Sequence, residues 1–331
     1  MKVTEIGQLR NISIINISTP ILVPSFSSRG FPEVRDIYNS MRDFIVDVSL
    51  VSAYDLYYDF IDKDIYYSDL IFIDSGGYET QLLKSTASLD DVYAARDSCS
   101  ARPWNSDLHQ SVLDRLEPNS QFVFISYDSQ ENSQPILCQI ESSLALFQKY
   151  PDVASEFLCK PEQESNFINL DNLIGYLDNI AQFSILGLTE KELGKSILER
   201  CQNLLRLRSE FEKSGFQIPI HILGCLDPVL IIAYFLCGAD IFDGLAWLRY
   251  VFYDGLALYP STANIITEKW NYSEQELAKF YGIQNIQTLN RLTRAMVKFC
   301  KTRRIEEFLE WNRVMPSVLN LVRNAGLEIK G

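Results

Sequence analysis

Residues 70–78 read LIFIDSGGY, an apolar run that ends in an aspartate, a serine and two glycines. Apolar runs without alternation are typical of strands buried on both faces, as in a parallel sheet covered by helices. Similar runs recur along the chain. The sequence therefore predicts strands at residues 21–26, 44–51, 70–74, 121–127, 156–160, 183–188, 220–223 and 240–245.

Longer amphipathic stretches separate several of these strands, for example at residues 190–214 and 227–236. Eight parallel strands with helical crossovers predict the α/β class and a (β/α)8 TIM barrel. A small antiparallel element is predicted before the barrel at residues 3–16, and a helical C-terminal tail at 273–322. The expected organisation is a barrel core at 1–260 and a helical extension at 261–331 that packs on it.

Composition narrows the class of protein. The 331 residues are 47% hydrophobic, so the chain can bury a sizeable core and extensive disorder is excluded. With 30 basic and 43 acidic residues the net charge is -13, which excludes a globally basic nucleic-acid coat. The longest apolar run, 229–237, is too short to span a bilayer, and the first ten residues are mixed and polar. We therefore expect a cytoplasmic protein without a membrane partner.

The sequence offers little for metal or serine-histidine chemistry. Seven cysteines are scattered without a C-x-x-C pair, and only His109 and His221 represent histidine. A structural zinc site needs clustered cysteines and histidines, so no metal and no other cofactor is expected. Carboxylates therefore remain as the candidate catalytic groups.

Polar residues follow four of the predicted strands, where a barrel of this type places its chemistry. Asp74, Asp128 and Asp243 would bring three carboxylates into one mouth. Asp74 could act as acid or base, Asp128 could accept hydrogen bonds from a purine edge, and Asp243 could attack an anomeric carbon. Each has a structural alternative: a capping aspartate in a strand-to-helix turn for Asp74, a turn residue for Asp128, and a helix N-cap for Asp243.

An ordered set of motifs resembles the tRNA-guanine transglycosylase superfamily, (β/α)8 enzymes that exchange a guanine base for a 7-deazaguanine. The family's D-S-G-G-[FY]-Q is similar to DSGGYE at 74–79, and its G-G-L-x-x-G-E to LGLTEKE at 186–192. Its late signature is similar to GCLDP at 224–228, GADIFD at 238–243 and Arg249. Weaker similarity lies at Thr19, Pro20 and Pro24, at 50–56 and at 255–257, so that the resemblance covers about residues 12 to 260.

The resemblance implies a pentosyltransferase in which Asp243 is the nucleophile and Asp74 the general acid and base. It implies that a polynucleotide, with tRNA favoured over DNA, and a 7-deazaguanine base are the substrates. Duplex DNA as the polymer and a non-catalytic accessory subunit remain alternatives, and a homodimer or a second subunit is left open. The substrate-binding residues implied are Ser52, Ser75, Gly76, Gly77, Tyr78, Asp128, Gly187, Leu188 and Arg249.

The chain departs from the family at several positions. The stretch at 261–282, where the family carries three cysteines and a histidine for zinc, contains neither residue type. Ser52 stands in place of an asparagine and Glu79 in place of a glutamine, which predicts an altered pocket. A basic stretch at 291–304 has no acidic residue. It presents a helical stripe expected either to be a solvated face or to contact phosphates: Arg291, Arg294, Lys298 and Lys301.

Overall fold

An eight-stranded, all-parallel sheet forms the centre of the computed structural model, which describes residues 6–80, 102–117, 119–128, 134–163 and 165–328. The sheet has the order β3-β10-β9-β8-β7-β6-β5-β4, and a bridge between Ser25 and Leu50 brings its two edges together as a nearly closed TIM-like barrel. This confirms the predicted fold class. The barrel strands are β3 (Ile21–Pro24), β4 (Val48–Ser52), β5 (Leu70–Asp74), β6 (Gln121–Ile125), β7 (Ala154–Cys159), β8 (Ile185–Thr189), β9 (Ile220–Leu223) and β10 (Ile241–Gly244).

Alternate residues of these strands enter two separate buried clusters, which explains why the strand sequences are apolar without alternation. One cluster fills the barrel interior and contains Ile21, Val23, Leu50, Leu70, Phe72, Val123, Ile125, Leu158, Ile185, Leu223 and Ile241. The other lies between the strands and the helices. A short antiparallel pair, β1 (Asn11–Ile12) with β2 (Ile17–Ser18), adds Ile12 to the interior cluster. The predicted N-terminal antiparallel element is therefore present, although its second strand lies beyond residue 16; residues 3–5 of the predicted stretch lie outside the described residues.

Helices follow most barrel strands and cover the outside of the sheet. They are α1 (Val34–Met41), α2 (Ala53–Tyr57), α3 (Gly77–Thr80), α4 (Ser106–Leu113), α5 (Ile136–Phe147), α6 (Leu170–Gly175), α7 (Leu177–Ile180), α8 (Ile197–Lys213), α9 (Pro228–Leu236), α10 (Ala246–Arg249), α11 (Pro260–Ile266), α12 (Glu274–Thr302) and α13 (Met315–Asn324), with 3-10 turns at Arg42–Phe44, Glu190–Leu193 and Ile305–Trp311. In the described part of the chain, no helix is both long enough and apolar enough to cross a bilayer.

Three local predictions differ from the structure. The strand predicted at 44–51 begins only at Val48, because residues 42–44 form a 3-10 turn. The helix predicted at 190–214 is divided, since Gly194 separates a 3-10 turn from α8. An antiparallel pair, β11 (Val251–Tyr253) with β12 (Leu256–Leu258), was not predicted. Its turn is Asp254-Gly255, a dipeptide that favours hairpins because both residues adopt positive φ, here 49° and 75°.

The long helix α12 begins with a capping box formed by Ser273 and Glu276. It is held to the barrel through Asn285, which is fully buried. The Asn285 side chain accepts a hydrogen bond from the backbone N–H of Phe252 at 2.7 Å and donates to the carbonyls of Trp247 and Tyr250, both at 2.7 Å. Asn285 therefore fixes the segment that follows Asp243, because one side chain satisfies three backbone groups at once.

Replacing Asn285 with alanine should lower the free energy of unfolding by about 2–4 kcal/mol, since buried backbone groups would lose their partners. Chemical denaturation monitored by tryptophan fluorescence measures this change. Asn290→Ala, at an exposed position of the same helix, is the control for helix propensity and should change stability by less than about 1 kcal/mol. Equal effects of the two substitutions would contradict the clamping role of Asn285.

Candidate active site at the carboxyl ends of the barrel strands

Asp243 is the third residue of β10 and is held by donors from two neighbouring strands. Its Oδ2 accepts a hydrogen bond from Ser25 Oγ at 2.7 Å, and its Oδ1 accepts one from the backbone N–H of Gly224 at 3.0 Å. The side chain is largely buried, with the residue 6% exposed. Asp243 does not cap a helix: the residue that precedes α10 is Leu245. These contacts fix the carboxylate at the mouth of the barrel, meaning the end where the strands terminate.

A buried histidine that the sequence analysis left unassigned lies beside Asp243. His221 on β9 places its Nε2 3.4 Å from Asp243 Oδ1 and its Nδ1 2.9 Å from Glu156 Oε1 on β7. At 3.4 Å the first contact is long for a hydrogen bond, and we treat it as an ion pair. The sequence does contain a sign of this pair, because each of two apolar strand runs holds one ionisable residue: Glu156 in ASEFLC at 154–159 and His221 in IHIL at 220–223.

Burial lowers the pKa of His221, but the neighbouring Glu156 and Asp243 carboxylates outweigh it and raise that pKa to about 10. The imidazole is therefore positively charged at neutral pH.

Asp74 ends β5 and begins the glycine turn predicted from the sequence. Its Oδ2 accepts a hydrogen bond from the backbone N–H of Gly76 at 3.1 Å. The carboxylate therefore caps the strand-to-helix turn, which is the structural role considered for Asp74 in the sequence. Gly76 has φ of +87°, and a Cβ at this position would lie 2.7 Å from the Tyr54 Cβ. A Cβ on Gly77 would lie 2.7 Å from Asp128 Oδ2. The two glycines thus allow the turn to approach other side chains of the site.

Three carboxyl groups around this turn hold protons more tightly than usual. Burial, followed by the charge of Glu79, raises the pKa of Asp74 to about 7, and Asp243 and Asp128 contribute in the same direction. Burial and then Asp55 raise the pKa of Glu79 to about 7, against the hydrogen bonds donated by Ser27 and Ser52. Burial raises the pKa of Asp55 to about 6, although Ser28 donates to it. Asp74 is therefore able to gain or lose a proton near neutral pH.

Asp128 lies beside a cation that comes from the next strand. Lys160, which follows β7, places its Nζ 3.5 Å from Asp128 Oδ2 and 2.7 Å from Glu192 Oε1. It also donates to Thr189 Oγ1 at 3.2 Å. Although burial opposes it, the Asp128 and Glu192 carboxylates raise the pKa of Lys160. An acceptor and a charged donor therefore stand side by side at the mouth, and Lys160 is a residue that the sequence analysis did not assign.

Tyr78 and Arg249 meet on another side of the mouth. Arg249 donates to the Tyr78 hydroxyl at 3.1 Å. Arg29 lies over the Tyr78 ring, with its Cζ 4.8 Å from the ring centroid, and also donates to the Tyr78 carbonyl. One face of the ring is therefore covered by a guanidinium, which leaves stacking on a base to the other face.

Three of the remaining predicted site residues, Ser52, Ser75 and Leu188, are buried. Ser52 donates to Glu79 Oε2 at 2.9 Å, and Ser75 accepts from the backbone N–H of Gly77 at 3.3 Å. Gly187 lies within β8, between the partner residues Leu158 and His221, and the Leu188 side chain is fully buried in the layer beneath the helices. Contact of their backbone groups with a base stays a prediction.

The four cations of the predicted stripe are all exposed on α12. Arg291 pairs with Glu310 at 2.7 Å, whereas Arg294, Lys298 and Lys301 have no ion-pair partner within the described residues. The stripe runs away from the mouth, because Asn285 lies beside the segment after Asp243 while Arg303, at the other end of α12, donates to the carbonyl of Gly7. At a rise of about 1.5 Å per residue, the distance from Asn285 to Lys301 is about 24 Å.

The fold and the site define the protein as an α/β barrel of the TIM type. Its strand ends carry several carboxyl groups, some beside a cation and others with a raised pKa. The sequence matches no family model and no curated protein.

Glu79→Gln should stabilise the protein at pH 8 but not at pH 5. Because the folded pKa of Glu79 is raised to about 7, its contribution to stability is complete below the ordinary value of 4.5 and is lost as the pH rises through 7. An amide has no acidic proton to lose; its oxygen accepts from one of the two serine hydroxyls and its NH2 donates to the oxygen of the other. We expect the variant's free energy of unfolding to exceed that of the wild type by roughly 1–3 kcal/mol at pH 8. Thermal unfolding at both pH values measures it, and an equal difference at both would contradict the raised pKa.

Proposed function

We propose that this chain is a nucleobase-exchange enzyme, a pentosyltransferase of the tRNA-guanine transglycosylase type. It replaces guanine in a polynucleotide, with tRNA favoured, by a 7-deazaguanine through a covalent aspartyl-glycosyl intermediate. The observation that carries this proposal is the pair of aspartates at one mouth in different surroundings: Asp243 accepts hydrogen bonds from Ser25 and Gly224 and lies beside the His221 imidazole, whereas burial and Glu79 raise the pKa of Asp74 to about 7.

The two carboxylates suit a double displacement at one carbon. A carboxylate nucleophile needs a fixed orientation, and Asp243 has one because Ser25 O–H and Gly224 N–H donate to its two oxygens and the His221 ring lies beside it. A general acid that later serves as base works best with a pKa near the working pH, as burial and neighbouring carboxylates arrange for Asp74. Two successive inversions at C1′ retain its configuration.

The part of the mouth formed by Asp128 and Lys160 suits guanine better than adenine. Guanine presents an acceptor at O6 next to N–H donors, whereas adenine presents an amino donor where guanine has O6. Asp128 supplies the acceptor, and Lys160, whose Nζ lies 3.5 Å from it, donates to O6 by releasing one of its present partners, Asp128, Glu192 or Thr189. A 7-deazaguanine has the same Watson–Crick edge as guanine and lacks only the N7 acceptor. One acceptor–donor pair therefore serves both the departing and the arriving base.

Asp243→Asn should abolish base exchange, because an amide cannot form the glycosyl ester. The assay is uptake of labelled guanine into tRNA and, separately, into duplex DNA. Asp178→Asn, at an exposed position of α7, is the control and should keep wild-type activity. Uptake into tRNA supports the favoured substrate, and uptake into DNA alone identifies DNA as the polymer. Full activity of Asp243→Asn, or no uptake by the wild type into either polymer, would overturn the proposal.

The polymer is proposed to run from the mouth along α12, since the net charge of -13 requires a local basic surface to attract a polyanion. Changing Arg294, Lys298 and Lys301 together to glutamine should weaken binding and reduce its salt slope by about two to three units. Filter binding at several salt concentrations measures both quantities.

The matched control removes three exposed cations elsewhere on the surface: Lys63, Arg206 and Lys213. This control changes the net charge by the same amount as the stripe variant. It therefore distinguishes loss of local phosphate contacts from a general effect of the protein's net charge. Equal losses in the two triple variants, or no loss in the stripe variant, would mean that α12 is a solvated face and that the polymer docks elsewhere.

A further inference from the structure

Glu156, His221 and Asp243 form a continuous line of charge across the upper interior of the barrel. Glu156 and His221 have no exposed surface, and Asp243 is 6% exposed. Both carboxylate oxygens of Glu156 lie within hydrogen-bond distance of His221 Nδ1, at 2.9 and 3.0 Å. On the other side of the ring, His221 Nε2 lies 3.4 Å from Asp243 Oδ1. The line joins the carboxylate proposed as nucleophile to a second, deeply buried carboxylate that no substrate can touch.

The arrangement requires a doubly protonated imidazole. A neutral ring would turn one nitrogen lone pair toward a carboxylate, whereas an imidazolium presents an N–H on each side. Among the described residues, the charged groups that face His221 are Glu156 from β7 and Asp243 from β10. The ring of Phe72 on β5 completes the surroundings, at 5.5 Å between centroids. The two carboxylates therefore decide the charge of the ring.

Gly187 makes the line sterically possible. It lies on β8, between the strands that carry Glu156 and His221, and pairs in register with His221. A Cβ on Gly187 would lie 2.4 Å from Glu156 Oε1. Any side chain at this position would displace the carboxylate from the imidazole. The glycine is thus required by the ion pair rather than by its backbone conformation.

We propose that His221, kept as an imidazolium by Glu156, is a positioning residue that orients Asp243 and stabilises its carboxylate when it leaves C1′. This inference rests on the proposed function. It gives the buried pair of Glu156 and His221 a role in the second displacement, in which the arriving base replaces Asp243 at C1′.

The charge balance of the two displacements explains why Glu156 is needed. In the first step an Asp243 oxygen bonds to C1′, the C1′–N bond breaks, its electron pair goes to the base, and the base takes the Asp74 proton. Asp243 has then lost its charge, and Glu156 remains as the counter-ion of the imidazolium. In the second step Asp74 takes a proton from the arriving base, whose nitrogen attacks C1′. The C1′–O bond breaks and its electron pair returns to Asp243, beside the cation. His221 transfers no proton.

Imidazole 15N NMR tests the charge state directly, because the protein has two histidines. Burial lowers the pKa of His109 to about 4, so at pH 7.5 its ring should be neutral while that of His221 is protonated. His109→Leu should remove the neutral signals and His221→Gln the protonated ones. Glu156→Gln should shift the His221 titration to lower pH. A neutral His221 ring in the wild type would overturn the inference.

Kinetics test the role in the second displacement. Glu156→Gln should lower kcat by roughly 10- to 100-fold with KM changed less than about threefold, as for loss of a group that acts on developing charge. More glycosyl-enzyme should accumulate on denaturing gels, and an alkaline loss of activity should appear as His221 deprotonates. Gly187→Ala should reproduce these effects with all three residues of the line present. His109→Leu, outside the site, should behave like the wild type.

The outcomes separate the two proposals. Unchanged kcat and unchanged intermediate in Glu156→Gln overturn the positioning role, even if the wild type exchanges bases. Loss of folding in Glu156→Gln is recognised by its circular dichroism, and Gly187→Ala then decides by the same readouts. A protonated His221 in a wild type that exchanges no base into either polymer overturns the proposed function and, with it, the role at C1′.

Discussion

Charge buried in a barrel must be paired or neutralised, and this constraint organises the whole mouth of the structure. The carboxyl groups there outnumber the cations that face them in the described residues. Lys160 stands beside Asp128, and His221 stands between Glu156 and Asp243. Among the described residues no cation pairs with Asp74 or Glu79, and burial raises their pKa values to about 7. In the described residues a cation therefore lies beside Asp128, Glu156 and Asp243 but not beside Asp74 and Glu79, and it is the latter two whose pKa values are raised.

The fold was predictable because its pattern is local. Each barrel strand is a short apolar run, and a strand buried on both faces is recognised without knowing its neighbours. Asp74, Asp128 and Asp243 were found for the same reason, since each follows or ends such a run. The boundary near Val48 was placed too early because Phe44 and Ile45 are apolar, although residues 42–44 form a 3-10 turn. The hairpin at 251–258 is indicated in the sequence by the dipeptide Asp254-Gly255, which favours a tight turn.

The electrostatic line could not be predicted in the same way, because it depends on register across strands. Glu156 and His221 are 65 residues apart in sequence and meet only because β7, β8 and β9 align and because position 187 lacks a side chain. Lys160 meets Asp128 through the same kind of alignment. Neither pairing follows from spacing along the chain. The three-dimensional structure also gives the basic stripe a direction that helical periodicity alone does not contain.

The contact between Ser25 and Asp243 has a consequence for how the protein is made. The two residues are 218 positions apart: Ser25 directly follows β3, the first strand of the barrel, and Asp243 lies on β10, the last, which pairs with β3 along its length. During synthesis the first strand therefore leaves the ribosome long before its partner exists, and one of its edges stays open until the last strand arrives. No N-terminal fragment that stops short of β10 can contain the proposed nucleophile or its pocket. Barrel closure and completion of the proposed site are the same event, so a polypeptide released early has neither.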